Sequence, residues 1–186
     1  MREIEIKVRL QDKEGLLAAL AGKGVALGEP VHQRDQVFGL PGEVGGDGNT
    51  VPWLRVRTET RRQGENETKR TLFTLKRSVT GQLDSIERET EVGDPDVMIA
   101  IVKELGFVPF SDLSKTRRTG KLDDIEACID SVEDLGDFME LERLAGENAD
   151  PAAITDDLWR IVAELGISRQ DEVTDGYDIL VKKLEV

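Results

Sequence analysis

The stretch IEACIDSVEDLGDFMELE, residues 125–142, contains two segments in which charged and apolar residues alternate. Glu126 and Asp130 share one side of the first segment, and Glu140 and Glu142 share one side of the second. Because successive side chains of a β-strand point to opposite faces, each segment predicts a strand with one charged face and one apolar face. The brief link between them favours antiparallel neighbours.

The same alternation recurs in five further segments of the chain. Their charged positions are Glu3, Glu5 and Lys7; Arg55 and Arg57; Lys76; Glu87, Glu89 and Glu91; and Lys115 and Arg117. An ordinary sheet with one solvated face would explain any one of these strands. Blocks of both signs in seven strands instead favour a sheet that closes on itself, with its charged face inside.

Turn residues and apolar periodicity predict eight strands and three helices. The strands are expected near residues 2–10, 31–40, 51–60, 69–79, 84–92, 107–118, 122–131 and 137–144, and the helices near residues 12–22, 94–106 and 151–166. The tail ends in a short apolar segment from Tyr177 to Val181. We therefore expect one domain over residues 1–186, of the α+β class: a closed eight-stranded antiparallel β-barrel with about three helices packed outside.

The composition limits the partners and the compartment. The net charge is −13 and the sequence pI is about 4.6. Such a surface repels nucleic-acid phosphates and anionic lipids, so we expect neither nucleic acid nor membrane as a partner. No stretch approaches the ~20 apolar residues of a membrane span. The charged N-terminus is unlike a secretion signal and the single cysteine, Cys128, has no internal partner, which together predict a cytoplasmic protein.

The charged positions of the seven strands comprise six bases and nine acids, a sum of −3. Burying even one unpaired ion in a dry core costs several kcal/mol, so an interior of this kind must be a water-filled tunnel. Lys and Arg from different strands converge naturally on phosphate oxygens, and carboxylates attract phosphates only when they hold Mg²⁺ or Mn²⁺. Since an eight-stranded barrel has room for about one small ligand, the pattern predicts a triphosphate bound with metal ions.

Several motifs resemble those of the CYTH superfamily, the triphosphate tunnel enzymes. Glu3-x-Glu5-x-Lys7 is similar to the ExExK signature of that family. It is followed, in the family's order, by Asp35 and Phe38, LRVR, FTLK, ETEV, Lys115-x-Arg117 and the most specific piece, Ile129-Asp130-x-Val132-x-x-Leu135-Gly136-x-Phe138-x-Glu140-x-Glu142. The resemblance spans essentially the whole chain and looks closest to the class IV adenylate cyclase (CyaB-like) branch.

This resemblance implies a role for each matching residue. The triphosphate would be held by Lys7, Arg55, Arg57, Lys76, Lys115 and Arg117. The catalytic residues would be metal ligands, namely Glu3, Glu5, Glu140 and Glu142, with Glu89, Glu91 and Asp130 as weaker candidates. The expected cofactor is Mg²⁺ or Mn²⁺, the expected partner is a nucleoside triphosphate or another triphosphate, and a homodimer is the assembly that the resemblance implies.

Three functions are compatible with these residues. The first is a metal-dependent adenylate cyclase, which converts ATP to cyclic AMP and pyrophosphate. The second is a triphosphatase that hydrolyses thiamine triphosphate or inorganic tripolyphosphate, and the third is a non-catalytic nucleotide or polyphosphate sensor. Two departures from the family pattern leave base and sugar recognition open: Val37 replaces a tyrosine, and Arg118-Thr119-Gly120 stands where an aromatic residue is usual.

Overall fold

The computed structural model describes residues 2–42, 52–81, 83–146 and 148–185. Its strands are β1 (Arg2–Arg9), β2 (Val31–Gly39), β3 (Trp53–Gln63), β4 (Asn66–Gly81), β5 (Asp84–Val92), β6 (Val108–Leu122), β7 (Ile125–Val132) and β8 (Gly136–Ala145). Its helices are α1 (Lys13–Gly22), α2 (Pro95–Glu104), α3 (Pro151–Glu164) and α4 (Tyr177–Leu184), with a 3-10 turn at Arg169–Asp171. The first residue of the strand predicted near 51–60 lies outside the described residues.

The eight strands form a closed barrel in the order β1-β5-β4-β3-β2-β6-β7-β8, and every neighbouring pair is antiparallel. Two meanders, β2 to β5 and β6 to β8, meet through the pairing of β2 with β6. Strand β1 closes the other side, since Arg2 lies opposite Ile86 of β5 and Glu5 lies opposite Glu142 of β8. The predicted fold class is confirmed.

Helices cover the apolar outer face of the barrel in two places. The larger cluster joins the outer faces of β1, β7 and β8 to α1 and α3, with Leu20, Leu141 and Leu158 fully buried in it. A second cluster packs Val102 of α2 against Val56 and its neighbours on β3. Because this apolar surface is buried outside the barrel, the alternate, charged side chains face inward.

Aspartate caps fix where the predicted helices begin. Asp12 accepts a hydrogen bond from the backbone N–H of Gly15, and Asp94 accepts from the first turn of α2. Asp150 caps α3 in the same way, and a proline stands in the first turn of both α2 and α3. Within the described ranges, none of the helices combines the length and the apolar character that crossing a bilayer requires.

The C-terminal tail forms a fourth helix, α4, where the sequence indicated only a short apolar segment. Its first residue, Tyr177, packs with Leu113, Val132 and Phe138 in a third apolar cluster. By strand alternation, Leu113 lies on the same face of β6 as Lys115, and Phe138 lies on the same face of β8 as Glu140. This cluster therefore lies at one end of the barrel interior, and the first turn of α4 forms part of the interior wall.

Candidate active site

The barrel encloses a cavity of about 390 Å³, within the roughly 300–1,000 Å³ typical of small-ligand sites. Residues from all eight strands and from α4 line it. Among the described residues, six basic and nine acidic side chains border the cavity, a net charge of −3. The interior is thus as charged as the alternation predicts, with both signs present.

The structure brings most of the predicted residues to this cavity. Lining it are the six basic residues Lys7, Arg55, Arg57, Lys76, Lys115 and Arg117, and the acids Glu3, Glu5, Glu89, Glu140 and Glu142. Asp130 is fully buried beside Lys115. Glu91 is exposed and does not line the cavity, because it lies near the end of β5, opposite Leu72, beyond the part of the strand that borders the interior.

Glu3, Glu5 and Glu142 form a carboxylate cluster, with oxygen atoms that lie within 4.8 Å of one another. Burial, reinforced by the charges of Glu87 and Glu5, raises the pKa of Glu3 to about 7. Burial also raises the pKa of Glu142 well above its ordinary value, and Glu3 adds to this effect. Burial is the main cause of both shifts; the neighbouring carboxylates add to it, while Arg117 opposes the shift of Glu142. A bound cation would favour the ionised form of both groups. An all-oxygen donor set of this kind fits Mg²⁺ or Mn²⁺.

Glu140, the fourth predicted metal ligand, lies outside this cluster and pairs with cations; within the cluster, Glu5 lies 3.8 Å from Lys7 and Glu142 lies 3.4 Å from Arg117. The Nζ atom of Lys7 lies 3.2 Å from one of its carboxylate oxygens, and Arg117 contacts the other. Although burial opposes it, Arg117 and Lys7 hold the pKa of Glu140 well below its ordinary value. In this arrangement Glu140 orients two of the basic residues rather than joining the carboxylate cluster.

Buried aspartates fix the two guanidinium groups on β3 and β6. Arg57 donates two hydrogen bonds to Asp35, at 2.6 and 2.7 Å. Arg117 donates two to Asp130, at 2.7 and 2.5 Å, and Lys115 donates a third to Asp130 at 3.1 Å. Arg57 is held along one edge, which keeps its remaining N–H groups in a fixed direction and suits it to bind a phosphate, whereas Arg117 also contacts Glu140 and Glu142.

Arg55 and Lys76 lie on the adjacent strands β3 and β4. The Nζ atom of Lys76 lies 2.8 Å from Glu87, and Arg55 Nη2 lies 3.7 Å from the same carboxylate. Lys76 and Arg55 lower the pKa of Glu87 to about 2, against the effect of burial. The Nε atom of Arg55 is buried without a hydrogen-bond partner. A buried donor of this kind is costly unless a ligand satisfies it, so it fits an anion in the cavity.

Several lining residues have no predicted role, among them Glu87, Trp53, Tyr177 and Asp178. Glu87 belongs to the charged alternation, and Trp53 stands two residues before Arg55 on β3, so the period of two carried a signal for both. Tyr177 and Asp178 come from α4, beyond all the strands. Strand alternation cannot place them, because it says nothing about where a following helix packs.

The chain is thus a closed β-barrel protein whose basic and acidic side chains face one interior cavity. Comparison with known proteins then identifies the family. The CYTH domain model matches residues 1–177, so this chain belongs to the CYTH domain family, which confirms the resemblance seen in its motifs.

Individual relatives agree with this assignment. A Methanocaldococcus jannaschii protein with the provisional name of an adenylate cyclase is 30% identical over 180 residues, which cover 95% of this chain and 97% of that protein. A solved structure from Pyrococcus horikoshii OT3 has a TM-score of 0.76 at 26% identity, and the match covers 95% of this chain and 97% of that one. A Hippeastrum protein, provisionally named an adenylyl cyclase and described as having a dominant triphosphatase activity, has a TM-score of 0.59 at 17% identity, over 95% and 91% of the two chains.

Proposed function

We propose that this chain is a metal-dependent enzyme that acts on a triphosphate inside its barrel, and specifically an adenylate cyclase that converts ATP to cyclic AMP and pyrophosphate. The observation that carries the proposal is a single cavity that combines six basic side chains with the carboxylate cluster. The acids would repel a bare polyphosphate, and the bases would repel a bare metal ion. A metal-bound triphosphate satisfies both sets of charges.

The basic residues can hold a phosphate chain from several sides. Arg57 and Arg117 present guanidinium groups that Asp35 and Asp130 fix in place. Lys76 lies on β4, beside the strand that carries Arg57, and Lys7 lies on β1. Because these strands are rigid and paired on both sides, the phosphates would be gripped in one position along the barrel axis, which supplies the orientation that phosphoryl transfer requires.

The carboxylate cluster of Glu3, Glu5 and Glu142 would hold the divalent ion, which when bound neutralises phosphate charge and polarises the phosphorus–oxygen bonds. Glu140 would act beside it by keeping Lys7 and Arg117 directed into the cavity, since it contacts both. The divalent ion and the basic residues would thus occupy neighbouring parts of one tunnel.

Cyclisation joins the ribose 3′-oxygen to the α-phosphorus and breaks the bond from that phosphorus to the oxygen that bridges to the β-phosphate. Pyrophosphate departs with the electron pair of that bond, and the 3′-hydroxyl proton passes to water in the tunnel. Negative charge grows on the departing pyrophosphate, where Lys and Arg donors already in position stabilise it. The chain's own contribution is binding, orientation and this charge stabilisation.

A triphosphatase is the second candidate function, and the dominant triphosphatase activity described for the Hippeastrum structural neighbour favours it. Its substrate would be thiamine triphosphate or inorganic tripolyphosphate. Hydrolysis needs a water molecule at the terminal phosphorus, whereas cyclisation needs the 3′-hydroxyl about 3–3.5 Å from the α-phosphorus. The same basic residues would serve both reactions, so the difference lies in which end of the substrate is presented.

A cytoplasmic location accompanies this proposal. Cys128 is a free, fully buried thiol, and a chain without a disulfide is suited to a reducing compartment.

Chromatography of the products from ATP, thiamine triphosphate and tripolyphosphate, each with Mg²⁺ and with Mn²⁺, tests the proposal. Cyclic AMP from ATP supports the cyclase, and orthophosphate from any of the substrates supports the triphosphatase. Tight binding without turnover would show a sensor. Glu142→Gln, in the carboxylate cluster, is compared with Glu104→Gln on the exposed surface of α2, which should leave every rate unchanged.

A further inference from the structure

The barrel consists of two halves that are joined along two seams. One half comprises β6, β7, β8 and β1, and the other comprises β2 to β5. The seam between β2 and β6 pairs nine residues of β2, Val31–Gly39, with β6. Within the described residues, the seam between β1 and β5 pairs only residues 2–4 of β1, and a hydrogen bond of 2.9 Å from the backbone N–H of Glu5 to the carbonyl of Leu83 extends it. The β1–β5 seam is therefore the weaker of the two.

The candidate site is divided between these two halves. All three members of the carboxylate cluster lie on β1 and β8, in the first half. The basic residues are shared equally, with Lys7, Lys115 and Arg117 in the first half and Arg55, Arg57 and Lys76 in the second. Although burial opposes it, Glu5 across the weaker seam, and then Glu87 on the neighbouring strand, raise the pKa of Lys76 above its ordinary value. A ligand that contacts both sets of charges must bridge the halves, so its affinity depends on their spacing.

A buried ion pair closes the weaker seam from outside the barrel. Arg2 donates two hydrogen bonds to the carboxylate of Asp84, at 2.7 and 2.8 Å. The hydroxyl of Thr80 donates to the same carboxylate at 2.5 Å, and Arg2 also donates to the backbone carbonyl of Ala149 at 3.3 Å. Arg2 and Asp84 are only 8% and 6% exposed. By strand alternation both lie on the outer face, opposite to the cavity-lining Glu3, so neither can contact a ligand in the tunnel.

We propose that Arg2 and Asp84 are positioning residues, whose ion pair holds the two halves at the spacing at which Lys76 and the carboxylate cluster act on the same metal-bound triphosphate. The inference rests on the proposed function. The pair does not set the affinity for the metal alone, because the carboxylate cluster lies within one half, where eight residues of β1 pair with β8. Loss of the pair loosens the β1–β5 seam, which weakens triphosphate binding and leaves metal binding in place.

Calorimetric titration with Mn²⁺ alone, and with tripolyphosphate at saturating Mn²⁺, tests this in wild type, Asp84→Asn and Arg2→Lys. Asp84→Asn keeps the size of the side chain and removes its charge. We expect this variant to bind Mn²⁺ as wild type does and tripolyphosphate about tenfold more weakly, the effect of losing one hydrogen bond to a charged group. Arg2→Lys keeps the charge of the pair and loses the two-point contact, so it should lose less affinity.

Two control variants separate positioning from other effects. Asp112→Asn breaks a pair of similar geometry, in which Arg34 donates to Asp112 at 2.9 and 2.6 Å across the longer β2–β6 seam. Leu158→Ala lowers stability at the buried contact between α3 and the barrel. Both controls should bind Mn²⁺ and tripolyphosphate as wild type does. If Asp84→Asn binds tripolyphosphate as wild type does, or loses as much affinity for Mn²⁺ alone, the inference is wrong. If wild type binds no tripolyphosphate, the proposed function itself has failed.

A second measurement needs no variant and therefore decides the inference even if Asp84→Asn does not fold. Hydrogen–deuterium exchange in wild type compares the backbone N–H groups of the two seams, since exchange reports local opening. Those that join β1 to β5 should exchange faster than those that join β2 to β6. Tripolyphosphate with Mn²⁺ should slow the exchange at the β1–β5 seam, whereas Mn²⁺ alone should not. Exchange at this seam that bound tripolyphosphate leaves unchanged would overturn the inference.

Discussion

Metal binding to the carboxylate cluster should depend steeply on pH between 6 and 8. Glu3 has a pKa of about 7 in the folded protein, where burial and the neighbouring acids Glu87 and Glu5 favour its protonated form. A divalent ion binds the ionised carboxylate, so it must displace the proton. Raising the pH from 6 to 8 takes Glu3 from mostly protonated to mostly ionised, which should tighten Mn²⁺ binding about tenfold through this residue alone.

The same pKa predicts how stability changes with pH when no metal is bound. Because the folded-state pKa of Glu3 is raised above the ordinary 4.5, the folded state holds this proton more tightly than the unfolded state does. The resulting stabilisation is fully present below pH 4.5 and is lost as the pH rises through 7, a change of about 3 kcal/mol in the free energy of unfolding. Bound Mn²⁺ should restore this stability most strongly at pH 8.

Isothermal titration with Mn²⁺ at pH 6, 7 and 8 measures the affinity directly, and repeating it in two buffers of different ionisation enthalpy counts the protons released. About half a proton should leave Glu3 at pH 7. Glu3→Gln should bind Mn²⁺ more weakly and remove Glu3's share of the pH dependence, whereas Glu104→Gln should behave as wild type. An affinity for Mn²⁺ that is the same at pH 6 and pH 8 would refute this reasoning.

Three further predictions concern turnover, the stability of the core and the effect of salt. Glu5→Gln and Glu142→Gln should each nearly abolish turnover by weakening metal binding. Lys76→Ala should mainly raise KM by weakening triphosphate binding. Wild-type steady-state kinetics in all three variants would contradict the site assignment. Leu158→Ala, in the fully buried contact between α3 and the barrel, should lower the free energy of unfolding by about 2–5 kcal/mol in urea titration while the active fraction keeps its kcat. The net charge of −13 predicts that thermal stability rises from low to molar salt, since screening reduces self-repulsion; an unchanged Tm would contradict this.

Much of the barrel could be predicted from the sequence because the period of two is a local property of each strand. Glu3, Glu5 and Lys7 had to share one face of β1 whatever the strand paired with. Closure followed because an open sheet of eight strands would expose two edges. The basic residues reach the cavity for the same reason, since their apolar neighbours are needed to bury the outer face under helices.

The pairing of charges inside the barrel could not be predicted, because it depends on register between distant strands. Glu140 meets Lys7 because β1 and β8, from opposite ends of the chain, align these two residues. Because of this register Glu140 lies opposite Lys7, whereas Glu142 lies opposite Glu5. The alternation along β8 alone does not distinguish the two glutamates. Glu91 fails to reach the cavity because the length of β5 exceeds the depth of the interior, which alternation does not reveal.

The tail shows a second limit of the sequence pattern. Tyr177 was visible only as part of a short apolar segment, and its position against Lys7 and Lys115 arises from where α4 packs. A helix that follows a barrel can cover either end or a side of it, and the local sequence does not choose among these. The contribution of α4 to the cavity emerges only in three dimensions.

The central claim is that inward-facing acids and bases bind a metal-bound triphosphate within the barrel. A crystal structure with tripolyphosphate and Mn²⁺, with anomalous data collected for manganese, tests it most directly. We predict an anomalous peak among Glu3, Glu5 and Glu142, and phosphate density that extends along the axis towards Lys7. Tripolyphosphate bound only on the outer surface, with manganese absent from the interior, would contradict the account.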